Sequence, residues 1–163
     1  MINNRHFFTK TTLLFLALLV AGFLSANTVK ADGHAKMMKT YQTTQQFAPF
    51  LDRLKQAIAT EKMGVVAEAC ADCGARKIGV TIPGNRVVMV FHPRFAVRML
   101  KASLDAGIEA PLRLYVTEQP EGARLSFRLA SDVFAPYASS GDLVDMAKEL
   151  DAILLRIAEQ ATR

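Results

Sequence analysis

Tryptophan is absent from the 163-residue chain, tyrosine occurs three times and cysteine only twice. A disulfide-dense scaffold is therefore excluded, because such scaffolds need several bridges. No low-complexity tract, repeat period or block of like charge interrupts the sequence, which argues against a solenoid or a disordered tail. Glycine-rich phosphate loops, paired histidines on one helix and serines in a nucleophile elbow are missing as well. What is present is ordinary for one globular domain: 51% hydrophobic and 21% charged residues, with 20 Lys and Arg against 15 Asp and Glu. Composition alone names no reaction.

The first thirty residues differ from the rest. Arg5, His6 and Lys10 precede an uncharged run, Thr11 to Ala26, and a small-residue exit follows at Val29-Lys30-Ala31. That order is the pattern of a secretory signal peptide. The run is shorter than the ~20 residues a hydrocarbon core requires, so a retained membrane anchor is disfavoured, and cleavage is expected after Ala31. The remaining 132 residues carry a formal charge of +2, because Arg5, Lys10 and Lys30 leave with the leader. Basicity is then mostly a targeting feature and gives no warrant for nucleic-acid binding. A periplasmic location is expected, where thiols can be oxidised.

Residues 32–38 read as a polar tether with a solvated His34, and residues 39–163 as one domain. A first strand is expected over Met38 to Thr43. Phe47, Phe50, Leu51, Leu54, Ala57 and Ile58 then recur at helical spacing, with the helix starting near Phe47 to tolerate Pro49 and leaving at Met63-Gly64. Strands are expected over Val65 to Ala69, over the alternating Ile78, Val80 and Ile82, and over Arg86 to Phe91. A helix through Phe95, Val97, Met99, Leu100 and Leu104 should end at Gly107. Leu112 to Val116 and Leu125 to Leu129 flank a hairpin loop at Gln119-Pro120-Glu121-Gly122. A long last helix follows with Leu143, Met146, Leu150, Ile153, Leu154 and Ile157 on one side, opened by a capping box at Ser139 and Asp142. The order β-α-β-β-β-α-β-β-α predicts an α+β two-layer sandwich, its mainly antiparallel sheet covered by helices on one face.

Four segments carry a family resemblance: FLDRLKQAI at Phe50 to Ile58, Gly74-Ala75, VVMVFHPRFAVRMLKAS at Val87 to Ser103, and GIEAPLRLYV at Gly107 to Val116. The last, a Gly-Ile-acid-x-Pro-Leu pattern, is the most specific. Over Lys39 to Tyr137 the chain resembles the family catalogued as domain of unknown function 302. The resemblance implies a compact α+β domain that commonly pairs as a homodimer, with no activity established for the family. It also implies a secreted or redox-related setting, with a redox or sulfur-metabolism protein as partner. Where members often carry an Asp-His pair before the Gly-Ala, this chain has Cys70-Ala71-Asp72-Cys73.

Two thiols at C-x-x-C spacing can close a small ring, exchange with a partner's disulfide, or chelate a soft metal. Arg76 and Lys77 favour the thiolate and Asp72 opposes it. The motif follows a strand, and the sequence shows no helix start beside it and no preceding aromatic. For copper or zinc the two sulfurs are an incomplete shell, which His92 or Met89 would have to complete. His92 otherwise reads as a helix-entry residue. Covalent c-type haem is disfavoured because Gly74 follows Cys73, and no cofactor is expected. The seven methionines, Met37 and Met38 among them, read as filler.

A second feature is the run of Arg76, Lys77, Arg86, Arg94, Arg98 and Lys101, with no acid between Cys73 and Ser103. Arg94 and Arg98, four apart at the start of a helix, are candidates for holding an anion. The bland alternative is a charged surface that balances Asp142, Asp145, Glu149 and Asp151 of the last helix. Three functions remain open: a non-enzymatic periplasmic binding or accessory domain with a Cys70–Cys73 disulfide or dithiol, a thiol redox or sulfur-carrier protein, and a soft-metal binder. An apolar surface, a sheet edge or the Leu112 to Val116 strand is expected to hold a homodimer.

Overall fold

A computed structural model describes residues 38–163 except 139. The expected leader at 1–31, the tether up to Met37 with His34, and the capping Ser139 lie outside the described residues.

Alternation of apolar and polar residues sets the sheet. In β4 (Leu112–Gln119) Leu112, Leu114 and Val116 are buried, and in β5 (Gly122–Arg128) Ala123, Leu125 and Phe127 are buried on the same side. The two strands pair from Tyr115 with Ser126 to Gln119 with Gly122, around a loop of two residues. Gly122 has φ 132°, and a Cβ there would run into the backbone of Thr43 and Thr44, so only glycine fits. β1 (Met38–Thr43) flanks β5, while β3 (Asn85–Phe91) and then β2 (Gly64–Cys70) flank β4. All four pairings are antiparallel.

Helices cover one face. α1 (Phe47–Thr60) turns Phe50, Leu51, Leu54, Ala57 and Ile58 inward, the stripe read from the sequence. α2 (Ala71–Lys77) is a short helix at the end of β2, and α3 (Pro93–Ala102) buries Phe95 and Met99. A 3-10 turn over Asp105–Glu109 precedes β4, and the Ala110–Pro111 peptide bond is cis. α4 (Ala130–Phe134) leads through a second 3-10 turn, Ala135–Tyr137, into the 22-residue α5 (Gly141–Thr162). α5 buries Leu143, Met146, Leu150, Leu154 and Ile157 among others, packing against α1, α3 and α4. No helix among the described residues is long and apolar enough to cross a membrane. The result is the two-layer α+β sandwich that the element order implies.

Four local expectations are corrected. Ile78, Val80 and Ile82 form no strand; they are 78%, 46% and 38% exposed in the loop after α2. Both sides of β3 are already paired, with β2 and β4, so the alternating segment finds no free edge there. Lys62, not Gly64, takes the left-handed position after α1, with φ 58°, and Gly64 instead opens β2 opposite Phe91. α3 ends at Ala102, leaving Leu104, just before the 3-10 turn, and Ile108, within it, exposed. Ser140 occupies the N-cap position of α5 without a side-chain cap bond, and among the described residues its buried Oγ has no hydrogen-bond partner.

Candidate functional site

Cys70 pairs with Arg86 at the last rung of the β2–β3 ladder, after which the chain turns directly into α2. Cys70 is the N-cap of that helix, where the sequence had shown no helix start. Its sulfur accepts the backbone N–H of Cys73 at 3.0 Å. The two sulfurs lie at bonding distance and the Cα atoms are 5.2 Å apart, within the range a disulfide spans. Both cysteines are half-buried. Because α2 has only seven residues, its dipole is small, and side-chain charge governs the corner.

Asp72 supplies that charge from inside. It is 4% exposed, and its Oδ1 lies 3.5 Å from the Cys70 sulfur. The same oxygen accepts the Asn85 backbone N–H at 3.0 Å and an ion pair from Arg86 Nη1; Oδ2 accepts Arg76 Nη1 at 2.9 Å. A buried carboxylate without such partners would be costly; here two guanidinium groups compensate it. Arg86, whose side chain is 13% exposed, also donates from Nε to Glu68 at 2.9 Å and lies over the Phe47 ring. Lys55 of α1 meets the other oxygen of Glu68 at 2.7 Å. Arg76 reaches the second cysteine too, with Nη2 3.5 Å from the Cys73 sulfur. Each sulfur thus has a different charged neighbour: a carboxylate oxygen for Cys70, a guanidinium for Cys73.

The ligand atoms of Cys70, Asp72 and Cys73 lie within 4.8 Å of one another, close enough for a metal ion. The donor set fits one poorly, since both carboxylate oxygens are committed to cations and those cations repel another. His92 does not join the group. It follows the end of β3 that pairs with Gly64, whereas Cys70 pairs with the other end, about 20 Å away at ~3.3 Å per strand residue. Its Nδ1 accepts the Arg94 N–H at 3.0 Å as the cap of α3, so a neutral imidazole carries its proton on Nε2 and keeps no lone pair for a metal. Met89 pairs with Ala67 midway along the β2–β3 ladder, three residues along β3 from Arg86.

Arg94 and Arg98 are close together, as their spacing implies, but an internal partner takes both. Arg94 Nη2 meets one oxygen of Glu149 in α5 at 2.7 Å and Arg98 Nη1 meets the other. Both guanidinium groups also lie over the Phe95 ring. The carboxylate that this fork holds belongs to the chain itself.

Sequence reading missed the role of Arg86, which only the strand register brings beside Asp72. The Asp72–Arg76 contact did leave a signal, an acid and a base four apart on what proves to be a helix.

The family model for a domain of unknown function, DUF302, matches residues 39–161. Among solved structures, the chain is similar to the crystal structure of an uncharacterized conserved DUF302 protein from Bacillus stearothermophilus. That likeness has a TM-score of 0.70 and 16% sequence identity, and it covers 78% of this chain and 98% of the other. At such identity the likeness concerns the fold alone. No curated protein matches the sequence.

Proposed function

The chain belongs to the DUF302 family, a domain of unknown function, and from that premise we propose that it is an exported accessory protein whose Cys70–Cys73 pair cycles between disulfide and dithiol with a partner protein. The observation that carries this reading is the charge arrangement at the pair. Cys70 contacts a buried, compensated carboxylate and Cys73 a guanidinium, the setting in which one thiol of a pair ionises more readily than the other.

A purely structural bridge is the weaker reading. It would close a loop that the Cys73 N–H to Cys70 sulfur bond already closes, and the loop-entropy relation assigns so short a ring only about 2 kcal/mol. Metal binding is weaker still, for the reasons of donor set and charge given above. Export agrees with the positive start and apolar run of the first thirty residues, and a periplasmic location would supply oxidants. Among the described residues the outer edge of β2, which leads to Cys70, carries no further strand, and Val65, Val66, Ile78, Val80 and Ile82 are exposed in β2 and in the loop after α2. A homodimer or a redox partner could use that edge.

Acid quenching of cells followed by alkylation tests the cycle. A mixture of oxidised and reduced protein that changes with the oxidant supplied is expected. Protein that stays fully oxidised under every condition would return the pair to a structural role.

A further inference from the structure

Resting on the redox reading above, we propose that Asp72 is a positioning residue that keeps the proton of the reduced pair on Cys70, leaving Cys73 as the thiolate that meets the partner. The geometry is unequal in a specific way. Asp72 Oδ1 lies 3.5 Å from the Cys70 sulfur; a disulfide sulfur has no proton to give, but a Cys70 thiol donates to that oxygen. A Cys70 thiolate would instead place a second negative charge against a buried carboxylate. The N–H of Cys73 at 3.0 Å favours a Cys70 anion, but it is a neutral donor set against a full charge. Cys73 has the opposite neighbour, the Arg76 guanidinium at 3.5 Å, which stabilises a thiolate. Asp72 is held in place by Arg86, Arg76 and the Asn85 N–H, so it cannot turn away when the bond opens.

The exchange then runs with roles fixed. The Cys73 thiolate attacks one sulfur of a partner protein's disulfide; that bond breaks, and its electron pair leaves on the partner's other sulfur. Cys70 passes its proton to the departing thiolate. Its own sulfur attacks the Cys73 sulfur, and the Cys73–partner bond breaks with its electron pair on the partner. The partner ends reduced by two electrons, with one thiol and one thiolate, and Cys70–Cys73 ends as the disulfide.

Measuring thiolate formation against pH in the single-cysteine variants, together with the reduction potential of the pair, tests this assignment. In Cys70→Ser the remaining Cys73 should ionise at lower pH than Cys70 does in Cys73→Ser; the reverse order overturns the proposal. Asp72→Asn added to Cys73→Ser should let Cys70 ionise about one pH unit lower, because the carboxylate that accepts its proton and repels its thiolate is gone. Unchanged ionisation of Cys70 in a folded protein carrying Asp72→Asn overturns the proposal as well. Should that variant not fold, Arg76→Gln probes the other half from the surface, and Cys73 should then ionise at higher pH; no change counts against the proposal. The wild-type potential in the same series judges the redox reading separately: a strongly reducing value defeats that reading while the Asp72 effect stays measurable.

Discussion

The helix-covered side of the sheet and the corner where β2 enters α2 are built on opposite principles. Under α1 and α5, Phe50, Leu54, Ile58, Leu143 and Leu154 are almost wholly buried against Val88, Leu114, Val116 and Leu125, and no charge enters. Stability there comes from apolar area and close packing. At the corner the buried groups are a carboxylate and a largely buried guanidinium, and the apolar residues of the neighbouring loop are exposed. Buried ion pairs add little net stability, so this corner is better explained by what it does to two sulfur atoms than by what it does for the fold.

The sharpest break of this contrast is Phe50→Ala. Truncating a fully buried phenylalanine is expected to cost about 3–5 kcal/mol in denaturant unfolding, with no change in the potential of the cysteine pair. A shifted potential would show that the two regions are coupled. Cys70→Ser combined with Cys73→Ser should do the reverse, costing about 2 kcal/mol of stability relative to the oxidised protein while abolishing thiol exchange. A loss as large as that of Phe50→Ala would make the bridge a structural element. The smallest effect concerns Glu61, just after α1, which accepts Arg156 of α5 from Nε at 3.0 Å and Nη2 at 2.8 Å and also Gln160 at 2.8 Å. The Arg156 hydrogen bonds hold its carboxyl below the ordinary value, with Gln160 adding to the effect. A lowered carboxylate stabilises the fold above its unfolded-state pKa, and that contribution is lost as pH falls through the lowered folded-state value. Glu61→Gln should therefore cost about 1 kcal/mol or less near neutrality and flatten the acid limb of the stability–pH curve.

Legibility in the sequence followed the same division. Where burial decides structure, periodicity suffices: the stripe of α1, the long face of α5 and the β4–β5 hairpin all stand where Phe50 to Ile58, Leu143 to Ile157 and Gln119 to Gly122 put them. The alternation of Ile78, Val80 and Ile82 misled because alternation reports a possible strand, not an available partner, and β3 has none to spare. The cysteine pair was visible as spacing. Its surroundings were not, because the contact of Asp72 with Arg86 depends on cross-strand register and that of Arg94 and Arg98 with Glu149 on helix packing across more than fifty positions. The short helix α2 was hidden by a segment too brief for a helical period to show.

The reduction potential of Cys70–Cys73 in the purified protein, set against glutathione buffers, tests the central claim most directly. A labile pair is expected near −200 mV or higher. A value below about −300 mV would identify an inert bridge and contradict the account.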